Sequence, residues 1–178
     1  MAISKLFVLA GKAVFTIDTP AKGHYTFKVR KKEANGHYPE CFFVHMLVGP
    51  GNYVYLGMLS AEFGQVRLTA KSPAGVTLDT FHVKLLNRVL ERVWHNEHAE
   101  YEKHGFRTMH EGTCGRCGRE LTHPDSIDTG IGPECRKIMG LPELNPKPKK
   151  EKKTPAKPKR KYPVIGQAEE DRMIQEAD

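Results

Sequence analysis

The sequence predicts an α+β fold, in which five short strands form an antiparallel meander or a small barrel and one long helix packs on it. Between residues 13 and 70, short runs of alternating apolar and polar residues are separated by turn residues such as Asn35-Gly36. From residue 77 onward, apolar residues recur at helical spacing. Three of the four cysteines then fall between residues 114 and 135, which is typical of a small metal-binding module.

Composition divides the 178 residues into four predicted segments. They are a β-rich domain with a C-terminal helix (1–105), a zinc-binding module (106–142), a disordered Lys/Pro-rich linker (143–163) and a short acidic segment (164–178). The apolar run at residues 6–10 is too short for a membrane span or a signal-peptide core, so we expect neither membrane association nor export. Cysteines at knuckle spacing, with Cys41 left over, fit a reducing cytoplasm and not a disulfide scaffold.

We predict strands at residues 13–18, 24–30, 41–48, 53–58 and 65–70. In the second strand, Tyr25, Phe27 and Val29 alternate with Lys28 and Arg30, as in a half-buried antiparallel strand. The third strand is almost wholly apolar, so we expect it to lie centrally and to be covered on both faces.

Residues 77–103 predict one long helix. Thr77 or Asp79 suits the N-cap, and Gly105 suits the C-terminal end. Residues 95–104 are polar, so we expect this half to be exposed and to lead into the zinc module. The apolar stripe predicted to face the sheet comprises Leu78, Phe81, Leu85, Val89 and Val93.

The cysteine spacing predicts one structural Zn²⁺. Cys114 and Cys117 flank a tight turn whose glycines supply unusual backbone angles, and such a knuckle brings two thiolates to one ion. Cys135 follows Pro133, which suits the first turn of a helix, here predicted at 134–139. A hairpin knuckle with a helix-borne third ligand indicates a zinc-ribbon or treble-clef-like module. Four protein ligands would leave no open position for a water molecule, so the metal would be structural.

Three candidates for the fourth ligand remain open. His110 would approach Cys114 from the strand that enters the knuckle, and we favour it. His123 is the rival, although Pro124 follows it and the run Pro-Asp-Ser-Ile predicts a turn. Cys41 or a ligand from outside the chain is the third. The predicted ligand set is His110, Cys114, Cys117 and Cys135.

The same stretch carries a longer pattern. Its residues are His110, Cys114, Gly115, Cys117-Gly118-Arg119, Leu121-Thr122, Pro124, Ser126-Ile127 and the run from Gly130 to Cys135, Gly-Ile-Gly-Pro-Glu-Cys. This pattern resembles a small zinc-binding domain of unknown function that recurs in tailed-phage proteins and actinobacterial reading frames. The resemblance implies a zinc site and a phage or mobile-element origin, and it favours His110 over His123 as a ligand. It implies no reaction.

The basicity of the chain is concentrated in residues 147–161, where nine Lys or Arg face one Glu and give a net charge of +8, against +7 for the whole chain. A segment of this composition has nothing to bury, so we expect it to be disordered. A tethered polycation binds polyanions through counterion release, with salt-sensitive affinity that does not depend on base sequence. The alternative is a solubilising linker.

Two sets of residues are predicted to contact nucleic acid. Four lie beside the metal and eight in the basic segment: Arg116, Arg119, Arg136 and Lys137; Lys149, Lys150, Lys152, Lys153, Lys157, Lys159, Arg160 and Lys161. The strands offer a further possibility, a stacking platform for single strands, although such aromatics are more often part of a core. Its residues would be Tyr25, Phe27, Tyr53 and Tyr55 with Lys28 and Arg30.

No catalytic signature emerges, so we do not expect an enzyme. His95 and His98 lack the helical metalloprotease spacing, and residues 49–51 lack the third glycine or the lysine of a nucleotide-binding loop. The favoured hypothesis is a phage-type accessory nucleic-acid-binding protein with a structural zinc module and a basic tail. The alternative is a protein-interaction adaptor directed at a host factor, in which the tail is a linker. The expected partners are nucleic acid, bound without sequence preference, and a host or phage protein.

Overall fold

The structure, a computed structural model, describes residues 3–21 and 23–143. These residues form one compact unit. We call residues 3–110 the sheet body and residues 111–143 the cysteine module. The remainder, with the predicted basic linker and the acidic segment, lies outside the described residues. Within the described ranges, no helix combines the length and apolarity that crossing a membrane requires.

The sheet body is built on a six-stranded antiparallel sheet. Its strands are β1 Lys12–Asp18, β2 His24–Lys32, β3 Cys41–Gly49, β4 Asn52–Leu59, β5 Val66–Arg67 and β6 Arg107–His110. Their order in the sheet is β5-β4-β3-β2-β1-β6. The first five strands form the predicted meander, each antiparallel to the next, but the fifth strand spans only two of the six residues predicted for it, 65–70. The order ends at β5 and β6, so the described strands make an open sheet and not a closed barrel.

The sixth strand was not predicted from the sequence. Its four residues carry no clear alternation, but Thr108 faces the core beside Ile17 and is 3% exposed. Pairing with β1 supplies β6 with backbone partners, which is how so short a polar segment becomes a strand. Because β6 leads directly into the first cysteine, this pairing fixes the start of the cysteine module on the sheet.

The single long helix predicted over 77–103 is wrong: two helices are separated at residues 95–97. Asn96 lies there with φ 57°, in the left-handed region that asparagine tolerates better than most residues. The first of the two helices begins after Thr80, not at Thr77 or Asp79, and Thr80 is its N-cap. The helices are α1 Lys5–Val8, α2 Phe81–Trp94, α3 His98–Lys103, α4 Pro124–Thr129 and α5 Pro133–Ile138.

Helix α2 packs on one face of the sheet, which we call the inner face. The predicted stripe holds from Leu85 onward, but Leu78 and Phe81 are each 56% exposed, because Leu78 precedes the helix and Phe81 is its first residue. The side chains that α2 buries are Val83, Leu85, Leu86, Val89, Leu90 and Val93. All of these except Val83 join a core that includes Phe15, Ile17, Phe27, Val29, Phe42, Val44 and Leu56 from the strands and Phe7 and Val8 from α1.

The third strand is central, as predicted, but it is not covered on both faces. Phe42 and Val44 are buried on the inner face, whereas Phe43 and His45 on the other face are only half-buried. Val48 is 51% exposed. The prediction from apolar composition therefore overestimated the burial of β3, because α2 and α1 cover only the inner face of the sheet.

Candidate metal centre

The predicted knuckle is present between β6 and α4. Thr113 and Glu120 form an antiparallel bridge, and the Cys114 N–H donates to the Arg119 carbonyl at 2.7 Å. The turn closes as the Gly118 N–H donates to the Cys114 carbonyl at 2.8 Å, with Gly118 at φ +80°. That left-handed conformation favours glycine, which explains why the motif has a glycine at position 118. The hairpin brings Cys114 and Cys117 together.

The third cysteine lies on α5, as predicted. Pro133 occupies the start of the helix, and Cys135 is buried in its first turn. The run beginning at Pro124, expected to be a turn, is instead the short helix α4, which ends where Gly130 adopts φ +69°. A proline at the first helical position needs no N–H there, so Pro124 begins a helix where the sequence indicated a loop.

Three thiols converge in the cysteine module. The Sγ atoms of Cys114, Cys117 and Cys135 all lie within 4.8 Å of one another, and Cys114 and Cys135 are buried. Thiolates around one tetrahedral ion with bonds of about 2.3 Å would be about 3.8 Å apart, so these sulfurs can close on an ion with a small adjustment. The donor set therefore fits a metal ion. Cys41, at the start of β3, does not belong to this group.

The environments of the thiols differ. Burial acts to raise the pKa of Cys114, but hydrogen bonds from the backbone of Cys117, Gly132 and Arg116 outweigh it and lower the pKa overall. One of these donors is the Gly132 N–H, 3.5 Å from Sγ of Cys114. Burial, followed by the neighbouring thiols of Cys117 and Cys114, raises the pKa of Cys135 to about 11. A metal cation bound among the thiols would offset this penalty, because it favours the deprotonated form.

His110, the favoured fourth ligand, is not brought into the cysteine group. Its Nε2 lies 2.6 Å from the Ile127 carbonyl, and its Nδ1 accepts from the Gly112 N–H at 3.1 Å. The ring also packs against Phe7, with centroids 5.2 Å apart. Both ring nitrogens thus have protein partners, and His110 ties β6 to α4. Its role as a ligand stays a prediction.

His123 is also outside the group of three thiols. It is the N-cap residue of α4, but its side chain makes no capping hydrogen bond. The buried Nδ1 atom has no hydrogen-bond partner among the described residues, and the Asp125 carboxylate is 3.9 Å away. The structure therefore gives His123 a free ring nitrogen without placing it beside the sulfurs.

Phe7 on α1 is a residue of this site that the sequence analysis missed. A Cβ atom on Gly115 would lie 2.7 Å from the Phe7 ring, and one on Gly130 would lie 2.4 Å from it. The two glycines of the motif thus form a slot for this ring. The Lys12 N–H also donates to the Gly115 carbonyl at 2.5 Å. No signal near residue 7 indicates the contact, because about 108 residues of sequence separate it from Gly115.

The basic residues predicted beside the metal lie on the surface of the cysteine module. Arg119 is exposed and lies 3.4 Å from the Glu134 carboxylate, and exposed Lys137 lies 3.0 Å from Glu143. Half-buried Arg136 donates from Nε to the Pro142 carbonyl at 3.0 Å, and Arg116 is half-buried. Their role in nucleic-acid binding stays a prediction. The other eight predicted contacts, from Lys149 to Lys161, lie outside the described residues.

Residues 107–140 match a family of unknown function (DUF6011). The match begins with β6, includes all three clustered cysteines and ends just after α5. No curated protein and no solved structure matches the chain. The match and the cysteine cluster together fit a small metal-binding module of unknown function.

Proposed function

We propose that the protein binds nucleic acid, with Zn²⁺ stabilising the cysteine module and the basic segment providing affinity that does not depend on base sequence. The supporting observation is the concentration of nine Lys or Arg against one Glu in residues 147–161. Each phosphate that such a segment neutralises releases condensed counterions. The described part of the chain would then serve as a folded anchor for this segment.

Zinc is the metal we propose for the three thiols. Cysteine-rich tetrahedral sites select Zn²⁺ among the metals available to a protein in a reducing compartment. With His110 as the fourth ligand after a change of its hydrogen bonds, the shell would be complete and the ion structural. The protein would accordingly have no catalytic activity at this centre.

A phage-type accessory role in a bacterial host cytoplasm completes this proposal. It is supported by the motif from His110 to Cys135, which resembles zinc-binding domains of tailed-phage proteins. Proteins of this kind that bind nucleic acid without sequence preference need only a cationic segment and a folded carrier.

Fluorescence anisotropy with labelled DNA and RNA, titrated with salt, tests the proposal. The full chain is compared with a variant of the same length in which Lys149, Lys150, Lys152 and Lys153 are replaced by Gln. We expect the full chain to bind at about 50 mM salt, with a slope of log K against log salt that falls by roughly 0.7–0.9 for each phosphate that the variant no longer neutralises. An absence of binding by the full chain at low salt would refute nucleic-acid binding.

A second candidate, the adaptor that binds a host protein, is favoured by one observation. Ile138 on α5 is 66% exposed, the largest fraction among the exposed large apolar side chains of the described residues. Affinity purification from cells with and without nuclease separates the two functions. A protein that co-purifies after nuclease treatment, and is lost on Ile138→Ser, would support the adaptor.

A further inference from the structure

The face of the sheet opposite α2, which we call the outer face, is lined by Lys28, Arg30, Phe43, His45, Tyr53 and Tyr55. Strand register places Lys28 beside His45, His45 beside Tyr55, and Arg30 beside Phe43. None of the six is buried. Their inner-face neighbours Phe27, Val29 and Val44 are 0% exposed. The outer face therefore lies outside the core of the sheet body.

A change of register on β4 places its tyrosines on this face. Val44 pairs with Gly57 and His45 with Tyr55, so Leu56 is an extra residue in β4. Leu56 and Gly57 are both buried, and alternation resumes on each side of them. Such a bulge re-aims side chains along a strand. Gly57 suits this position because a Cβ atom would lie 2.4 Å from the Arg67 carbonyl.

The rings of the outer face form a connected group on two adjacent strands. Tyr55 contacts His45 edge-on at 5.6 Å between centroids and Phe43 at 6.2 Å. Lys28 Nζ lies 3.4 Å from the centroid of the Tyr53 ring, a cation–π arrangement. The four aromatic residues considered for a stacking platform therefore fall into two pairs with different surroundings. Phe27 belongs to the core and Tyr25 packs on Phe81 and His82, whereas Tyr53 and Tyr55 are half-buried and lie outside the core.

The outer face is also positively charged. In the described ranges, neither Lys28 nor Arg30 has a carboxylate within 4.0 Å, although Lys31 on the same strand pairs with both Glu33 and Glu40. Burial, and then the charges of Arg30 and Lys28, lower the pKa of His45, so its ring is held neutral.

Few acids oppose these charges. Glu111, just beyond β6, acts on Lys28 from the rim of this face. Asp18 on β1 is engaged by His24 at 2.6 Å. The row that contains Arg30 also carries Lys12 and Arg67 at its two ends. The balance of charge on the face therefore suits a polyanion.

We propose that the outer face binds single-stranded nucleic acid, with bases stacking on Phe43, Tyr53 and Tyr55 and phosphates contacting Lys28 and Arg30. The inference rests on the proposed nucleic-acid binding and deepens it, since it names the strandedness and a second binding surface. Stacking on protein rings requires unpaired bases, which a duplex keeps inside its helix. A protein partner fits less well, because it would bury two unpaired cations.

The test measures binding of a short labelled oligo(dT) to the full chain and to outer-face variants. Tyr53→Leu should weaken binding about tenfold, as expected for the loss of one stacked base. Tyr53→Phe should bind as tightly as the unsubstituted chain because the ring is kept. The control is Phe63→Leu, since Phe63 is 63% exposed and is not on the outer face. Circular dichroism melting of each variant verifies that the sheet remains folded.

A charge variant gives an independent readout. Arg30→Gln should lower affinity for oligo(dT) about fivefold. It should also reduce the slope of log K against log salt by the amount expected for the loss of roughly one phosphate contact. Its matched control is Arg88→Gln, because Arg88 is exposed on α2, the helix that covers the inner face. Equal effects of the two substitutions would contradict a role for the outer face.

Outcomes separate this inference from the proposed function. If the full-length variant with Lys149, Lys150, Lys152 and Lys153 replaced by Gln still binds oligo(dT) and prefers it to a duplex of equal length, the outer-face proposal is supported. If the full chain binds but Tyr53→Leu and Arg30→Gln leave its affinity for oligo(dT) unchanged, the outer-face proposal fails and binding by the basic segment stands. Absence of binding by the full chain would overturn both.

Discussion

The sheet body and the cysteine module are stabilised in different ways. The core of the sheet body contains 18 buried residues, all but Ile3 from five strands and two helices, whereas the module contributes four buried residues to the second core, two of them cysteines, beside Ala10 of the sheet body. Burial of a large apolar side chain contributes about 1.5–3 kcal/mol, so the module has too few to offset the ordering of its chain. We therefore predict that the module depends on a bound metal ion and on its contacts with the sheet body.

Loss of the metal ligand should have the largest effect. Cys114→Ser removes one of three clustered thiols, and serine is a poor ligand for zinc. We expect loss of bound Zn²⁺ and a destabilisation of the module above about 4 kcal/mol, the range associated with loss of a structural metal. Elemental analysis of the purified protein and thermal denaturation measure both.

Cys41→Ser is the matched control for this substitution. Cys41 is half-buried at the start of β3 and lies outside the thiol cluster. Its substitution should leave zinc content unchanged. Equal zinc loss from both variants would make Cys41 a ligand and would contradict the three-thiol site.

The second-largest effect is expected at the contact between Phe7 and the cysteine module. Phe7→Ala should cost about 3–5 kcal/mol, because a buried phenylalanine leaves a cavity between the core and the slot formed by Gly115 and Gly130. The control is Leu6→Ala, since Leu6 is 36% exposed on the same helix. We expect release of zinc to a chelator to accelerate in Phe7→Ala alone. Unchanged release would show that the module folds without the sheet body.

Two glycines offer a narrower test of the same slot. Gly130 and Gly140 have φ of +69° and +67°, but only at Gly130 would a Cβ atom meet the Phe7 ring. Gly140→Ala should cost about 1 kcal/mol for the backbone conformation, and Gly130→Ala about 3 kcal/mol because the ring must move as well. Chemical denaturation measures the difference, and equal costs would rule out a tight slot.

The smallest effect is expected at the surface of the module. Arg119 and Glu134 are 80% and 82% exposed in their side chains, and 3.4 Å separates their charged atoms. Arg119→Ala should change stability by less than about 0.5 kcal/mol, because solvent screens such a pair. If Arg119 contacts phosphate, the same variant would instead weaken nucleic-acid binding, measured by anisotropy at low salt.

Alternation in β1, β2 and β4 and the apolar run of β3, bounded by turn residues, were sufficient to predict those strands from the sequence, with ends within two residues of those in the structure. The spacing of Cys114, Cys117 and Cys135 likewise predicted the thiol cluster, because ligands close in sequence need only one turn and one short helix to meet. The break at Asn96 was missed because residues 95–103 contain neither proline nor glycine to mark it. The positions of His110 and Phe7 depend on contacts with residues distant in sequence.

Local order therefore follows from the sequence itself, since strand alternation, helical spacing and a two-residue cysteine interval each depend on neighbours a few positions apart. Tertiary structure alone decided which face of the sheet α2 covers, that β6 joins β1, and that Phe7 fills the slot between Gly115 and Gly130. Those outcomes depend on how separate elements share one core, and a side chain carries no mark of the distant residue that will bury it.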